Sequence, residues 1–251
     1  MKISIVTACF NAGSTVQATL ESIAAQTFPD FEHIVVDGGS TDGTLEAIAA
    51  WKGHPVRLLH GPDRGIYDAM NKGIAASTGD VVGFLNADDR YADADVLSWI
   101  AGAMSDPAVD CAYGDLVFVD PSDRRLLRYW KSARFDPVDF RRGWLPPHPT
   151  LYVRRDVFED VGPFTLAYRA AGDIEWMMRL LSRPRLRAEH IPRVLVEMDA
   201  GGVSNAGLAA HLRTNRDVWR ACALLGIPPA AFVLGKIVRK IPQWLNRKRA
   251  P

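Results

Sequence analysis

Val81-Val82-Gly83-Phe84-Leu85-Asn86-Ala87-Asp88-Asp89 decides the fold, because an uninterrupted apolar run ends in a pair of carboxylates. A short apolar run of this kind reads as a strand buried on both faces, as in parallel sheets. Open α/β sheets bind ligands beyond the carboxyl ends of such strands. Neighbouring aspartates at that place repel each other and resist desolvation, so a hard cation such as Mg²⁺ or Mn²⁺ carrying phosphate oxygens would compensate them. The plain alternative is an Asp-rich turn ahead of a helix that starts near Asp93 to Asp95.

Upstream of this run the pattern alternates. Lys2 to Ala8 reads as a strand, and Ser14-Thr15-Val16-Gln17 as a capping box opening a helix with Val16, Leu20, Ile23 and Ala24 inward. Phe31 to Val36 is the next strand, Thr44 to Trp51 a helix, Val56 to His60 a strand and Ile66 to Ala76 a helix. Strict alternation predicts a doubly wound, mostly parallel sheet with helices on both faces and right-handed crossovers. Beyond Asp89 the pattern loosens to a helix from Val96 to Met104, then a hairpin of Cys111 to Val119 and Leu126 to Trp130, so the sheet is expected to become mixed. Arg141 to Thr150 is too proline-rich for regular structure and suits a loop over a cleft. A strand at Thr150 to Val153, a helix over Asp173 to Leu181, a strand at Ile191 to Met198 and a helix at Leu208 to Leu225 follow.

With 251 residues, 48% of them hydrophobic, the chain is long enough for one large core. A net charge of +1 gives no reason to expect nucleic acid as a partner. Cys9, Cys111 and Cys222 are odd in number and form no C-x-x-C, which disfavours a disulfide framework or a zinc site and fits a reducing, cytoplasmic setting. No signal-peptide pattern is visible, and no run reaches the roughly 18 apolar residues of a membrane span.

Taken together, Thr7-Ala8-Cys9-Phe10-Asn11, Asp37-Gly38-Gly39-Ser40-Thr41-Asp42-Gly43, Asp63-Arg64-Gly65-Ile66-Tyr67-Asp68-Ala69-Met70-Asn71-Lys72-Gly73, Asn86-Ala87-Asp88-Asp89 and Gly172-Asp173 resemble the family 2 glycosyltransferases. The resemblance runs in order over residues 1 to about 200. It implies the GT-A fold and inverting transfer from a nucleoside-diphosphate sugar, a UDP-sugar being favoured. It also implies donor contacts from Thr7, Phe10, Asn11, Asp37, Arg64, Asn71, Asn86 and Asp88, metal ligation by Asp89 with Asp88, and Asp173 as general base. The acidic motif opens with Asn86 where many relatives carry Asp.

The residues carry readings of their own beside this. Asp37 suits a base edge or, equally, its own Gly-rich turn. Arg64, Tyr67 and Asn71 fall on one helical face, whereas Asp68 and Lys72 can pair on another. Asp173 opens a helix after a glycine, where it would stay ionised or serve as an N-cap; Glu175 is the neighbouring carboxylate. His148 suits either a ligand contact or packing between prolines, and Trp144 and Trp176 suit either sugar stacking or the core.

Residues 1–205 are read as one GT-A domain, with 1–90 as the nucleotide-sugar half and 91–205 as the acceptor half, and 206–251 as a helical extension. In its tail, Leu234, Ile237, Val238, Ile241, Trp244 and Leu245 oppose Lys236, Arg239, Lys240 and Arg247. That segment suits an anionic membrane surface carrying a lipid-linked or other glycan acceptor, and equally a docked helix with a solvated basic face. The expected location is therefore cytoplasmic, with possible peripheral contact at the inner face of the cell membrane. Rival readings are a sugar nucleotidyltransferase, a NAD-dependent dehydrogenase and a catalytically inactive glycosyltransferase-like protein. The first two lack their Gly-rich phosphate loops, and retention of Asp88, Asp89 and Asp173 argues against the third.

Overall fold

The computed structural model describes residues 1–168, 170–200, 207–241 and 243, with only the backbone over 207–212. The N-terminal half alternates as its apolar periodicity dictates: β1 (Ile3–Cys9), α1 (Val16–Ala24), β2 (Phe31–Asp37), α2 (Thr44–Ala50), β3 (Val56–His60), α3 (Ile66–Ala76) and β4 (Val81–Phe84). These strands run parallel in the order β3-β2-β1-β4. Every residue of β1 and of β4 is buried, which is why both read as continuous apolar runs, while β3 is a half-exposed edge. Cys9 at the end of β1 pairs in register with Asp37 at the end of β2. The strand ends therefore form one rim, and the acidic motif leaves β4 beside them.

The C-terminal half extends this sheet with mixed pairing. It contains β5 (Asp89–Tyr91), α4 (Val96–Ala103), β6 (Cys111–Val119), β7 (Leu126–Trp130), α5 (Pro137–Arg141), β8 (Tyr152–Arg154), α6 (Arg155–Val161), α7 (Gly172–Leu181) and β9 (Ala188–Asp199). The order continues from β4 through β8, β6 and β9 to β5, with β7 paired to β6 as the expected hairpin. Strand β5 and helix α6 escape sequence reading because each is short; β5 exists only through its antiparallel pairing with β9. Helices α8 (Gly207–Leu224) and α9 (Pro229–Val238) close the described chain. Val218, Ala221, Cys222, Ile227 and Phe232 belong to the same buried cluster as Trp176 and Phe140, so these helices share the domain core.

Two local expectations fail. The capping box does not form: Thr15 bonds the Ala12 carbonyl, Gln17 bonds Glu21, and Thr19 is buried where Ala24 was expected. The proline-rich segment is not a lid. Trp144, Leu145 and His148 are buried, the last opening a short 3-10 turn, His148–Thr150, because its rings fill the space between β4 and α7. All three cysteines are free and buried.

Candidate active site

The first two motifs interlock at the sheet rim. Asn11, held at φ 51°, accepts the Thr41 amide at 3.0 Å, its own amide donates to Ser40 Oγ at 2.8 Å, and the Gly13 amide donates to Asp42 at 3.0 Å. Phe10 projects beside them, 65% exposed. An aromatic ring presented to solvent at a strand end is available for stacking.

Asp37 is fully buried and accepts from the Gly39 and Ser40 amides, Ser40 Oγ and His60 Nδ1. Burial alone would raise its pKa, but these bonds outweigh it and hold the carboxyl below its ordinary value. The turn reading of Asp37 is thus realised, on the Gly39 and Ser40 amides. His60 joins the rim at the end of β3, half-exposed, and was missed because a lone strand-end histidine carries no motif.

The acidic motif sits across β1 from Asp37. Cys9, between them, is pushed up to about 12 by burial and then by the charges of Asp37, Asp42 and Asp88, which places these carboxylates around one strand end. Asp88 is half-buried and Asp89 fully buried. Burial raises both, and Asp88 and the nearby Asp199 on β9 raise Asp89 further. Among the described residues, Asp89 Oδ2 accepts only Asn86 Nδ2 at 3.2 Å, while Asp89 Oδ1 and Asn86 Oδ1 are buried without partners. Oxygens left in this state cost free energy unless a cation compensates them. No group of three or more His, Cys, Asp or Glu among the described residues is arranged to hold a metal ion. The donor set fits a hard cation bound by one or two carboxylates, with substrate phosphates completing the shell.

In the C-terminal half, Asp173 lies in the first turn of α7 and makes no cap bond to its helix. Its Oδ1 accepts Tyr67 Oη at 2.9 Å. Gly172 is required here, since a Cβ would meet the Tyr67 ring at 2.8 Å. Glu175 is buried and accepts from Nε and Nη2 of Arg179, at 2.8 and 3.1 Å, so its carboxylate is already engaged. His148 is buried, stacked on Phe84 at 5.3 Å and edge-on to Phe164; burial lowers its pKa and the Asp173 charge opposes that shift.

Several expected contacts are not brought to the rim. Thr7 is buried inside the sheet with its hydroxyl 2.8 Å from His33 Nε2. Asn71 clamps the Phe164 backbone through both ends of its amide, at 2.8 Å each, and so fastens the segment before α7 to α3. Trp176 is fully buried, bonds the Gly162 carbonyl and stacks on Phe158 at 4.5 Å, while Trp144 packs edge-on to Tyr113. Arg64 precedes α3, so helical-face arithmetic does not apply to it. It bends back to pair with Asp68 at 3.3 Å, and Asp68 also pairs with Lys72 at 3.5 Å. The Arg64 side chain nevertheless remains 77% exposed beside the Asp63–Gly65 turn.

A family model described as glycosyl transferase family 2 matches residues 4–169. A "PGL/p-HBAD biosynthesis glycosyltransferase" of Mycobacterium tuberculosis is 35% identical over 256 residues, covering 98% of each chain. Among solved structures, a mannosyltransferase of Pyrobaculum calidifontis with GDP-Man and Mn²⁺ superimposes at TM-score 0.68 with 19% identity, covering 98% of this chain and 73% of that one. S. aureus TarS with UDP-GlcNAc also reaches 0.68 with 19% identity, covering 98% and 72%. The chain belongs to glycosyl transferase family 2. It is a glycosyltransferase of GT-A fold, which sets aside the nucleotidyltransferase and dehydrogenase readings.

Proposed function

We propose that this enzyme transfers a sugar with inversion from a nucleoside-diphosphate donor, a UDP-sugar by preference, to a hydroxyl of a glycan or lipid-linked acceptor of the cell envelope. The observation that carries the reading is the acidic motif: two carboxylates at a strand end, raised by burial, with orphaned oxygens at Asp89 and Asn86. Asp88 and Asp89 would hold Mg²⁺ or Mn²⁺; when bound, such an ion neutralises charge on the departing nucleoside diphosphate. Phe10, Asn11, Asp37, His60 and Arg64 form the donor side, Phe10 by stacking and Arg64 by its exposed guanidinium. Asp173 takes the proton of the acceptor hydroxyl, whose oxygen bonds the anomeric carbon as the bond to the diphosphate breaks on the opposite face. The envelope setting follows the name of the mycobacterial relative, and the choice of nucleotide follows the ligand named for TarS.

A peripheral membrane role is proposed for α9 and the residues after it, to Ile241. Leu234 (64% exposed) and Ile241 (58%) stand out with Ile237 and Val238, an apolar row suited to the bilayer boundary. Trp244, Leu245, Arg247, Lys248 and Arg249 lie outside the described residues. No helix among the described residues is long and apolar enough to cross a membrane.

The test is a screen of nucleotide sugars for donor hydrolysis and transfer during a titration with Mg²⁺ and Mn²⁺. Asp89→Ala should lose metal-dependent donor binding and turnover while remaining folded. Full activity of the wild type in excess chelator would remove metal from the reading.

A further inference from the structure

Helix α9 is mounted with its apolar row outward and its basic side inward. Phe232 packs against Phe140, and Gly143, at φ 85°, lets the α9 backbone approach so closely that a Cβ would meet the Phe232 carbonyl at 2.2 Å. Arg239 pairs with Asp139 at 2.7 Å, and Arg128 bonds Gln243. Lys236 and Lys240 share this inward side and are half-buried. Neither ammonium has a hydrogen-bond acceptor or an ion-pair partner among the described residues. Burial and then Lys240 pull Lys236 down to about 8, with the Asp173 carboxylate opposing the shift; burial and then Arg128 lower Lys240. Cations one helical turn apart repel each other, and holding both out of water without a partner is unfavourable. An anion is the missing component.

We propose that Lys236 and Lys240 bind a phosphate of the acceptor, next to Asp173. This rests on the reading of the chain as a transferase with a lipid-linked acceptor. A phosphate dianion matches two ammonium groups where a carboxylate would leave one uncompensated, and lysine binds phosphate as a point charge without needing a fork geometry. The donor diphosphate belongs with Asp88 and Asp89, whose acidic neighbour is Asp199 on β9. Lys236 instead lies within the field of the Asp173 carboxylate, the base of the proposed reaction. The apolar row of the same helix continues outward from the lysines, which suits a phosphate carrying a lipid chain.

The experiment is calorimetric titration of the full chain with farnesyl diphosphate, with inorganic pyrophosphate and farnesol separating head from tail, and UDP and GDP reporting the donor side. In a Lys236→Gln/Lys240→Gln variant, farnesyl diphosphate and pyrophosphate should bind at least about tenfold more weakly, whereas farnesol, UDP and GDP affinities stay unchanged. Lys236→Arg/Lys240→Arg should restore most of the loss, which guards against a folding defect. No binding of farnesyl diphosphate by the wild type, or equal binding by the Gln variant, overturns the proposal. A parallel fall in UDP and GDP affinity also overturns it, because the lysines would then serve the donor. A failure of the transferase reading itself shows separately, as a wild type that binds neither nucleotide.

Discussion

Among the described residues Asp173 has one side-chain hydrogen-bond partner, the Tyr67 hydroxyl 2.9 Å away, and that bond holds a half-buried carboxylate that does not cap its own helix. Asp173→Asn preserves size and can still accept from Tyr67 but cannot take a proton. Turnover should fall by about two to four orders of magnitude with donor KM nearly unchanged, measured with saturating acceptor. Near-normal turnover would dismiss Asp173, and Glu175 could not inherit the role while Arg179 binds it through Nε and Nη2. On the proposed mechanism Tyr67 is a positioning residue, since its hydroxyl donates to Asp173. Tyr67→Phe should lower kcat by about tenfold, the worth of one charge-assisted bond, and leave donor affinity in place; a change confined to KM would instead mean that the hydroxyl meets substrate. Tyr67 was placed by spacing on a face with Arg64 and Asn71, but spacing names a face and not what lies opposite. Asn71, a donor contact by resemblance, lies with its amide engaged at both ends on the Phe164 backbone.

At the scale of elements, legibility followed locality. The four parallel strands and three helices up to Phe84 were readable because each is long enough to show its own period and the alternation leaves few topologies. Strand β5 was not, because its three residues become a strand only against β9, more than a hundred residues away. Helix α9 is the instructive case. Its sequence declares that apolar and basic residues occupy opposite faces, yet amphipathicity alone does not say which face meets the protein. Here Phe232, Lys236 and Arg239 turn inward while Leu234, Ile237 and Val238 turn out. If that row meets lipid, replacing Leu234, Ile237 and Ile241 with Ser should weaken flotation with anionic vesicles and leave thermal stability unchanged, since exposed apolar side chains contribute little to the core. A matching drop in Tm would show that the row is covered by the protein itself.

For the molecule as a whole, the buried polar groups of the N-terminal half tie stability to pH. His33 is fully enclosed between Thr7 Oγ1 at 2.8 Å and His54 Nε2 at 3.0 Å, and burial, then the neighbouring His54, carry its pKa down to about 3. In the unfolded chain it returns to near 6.5. Below that value the unfolded state takes up a proton that the native state refuses, so the stability present above pH 6.5 erodes as pH falls toward 3. The erosion reaches about 2 kcal/mol by pH 5 for this one group, at about 1.4 kcal/mol per unit. Asp37 and Glu32, both lowered, act with the same sign but only at more acid pH, whereas Asp89, raised by burial and by Asp88, acts in the opposite sense. The discriminating measurement is therefore a difference: urea unfolding of wild type and His33→Gln at pH 7.5 and pH 5. The variant keeps an amide able to meet Thr7 and His54, so it should lose some stability at pH 7.5 yet show a visibly smaller drop on acidification. An equal drop in both proteins would mean that His33 is protonated in the native state, and that the pairing seen at Thr7 does not depend on a neutral ring.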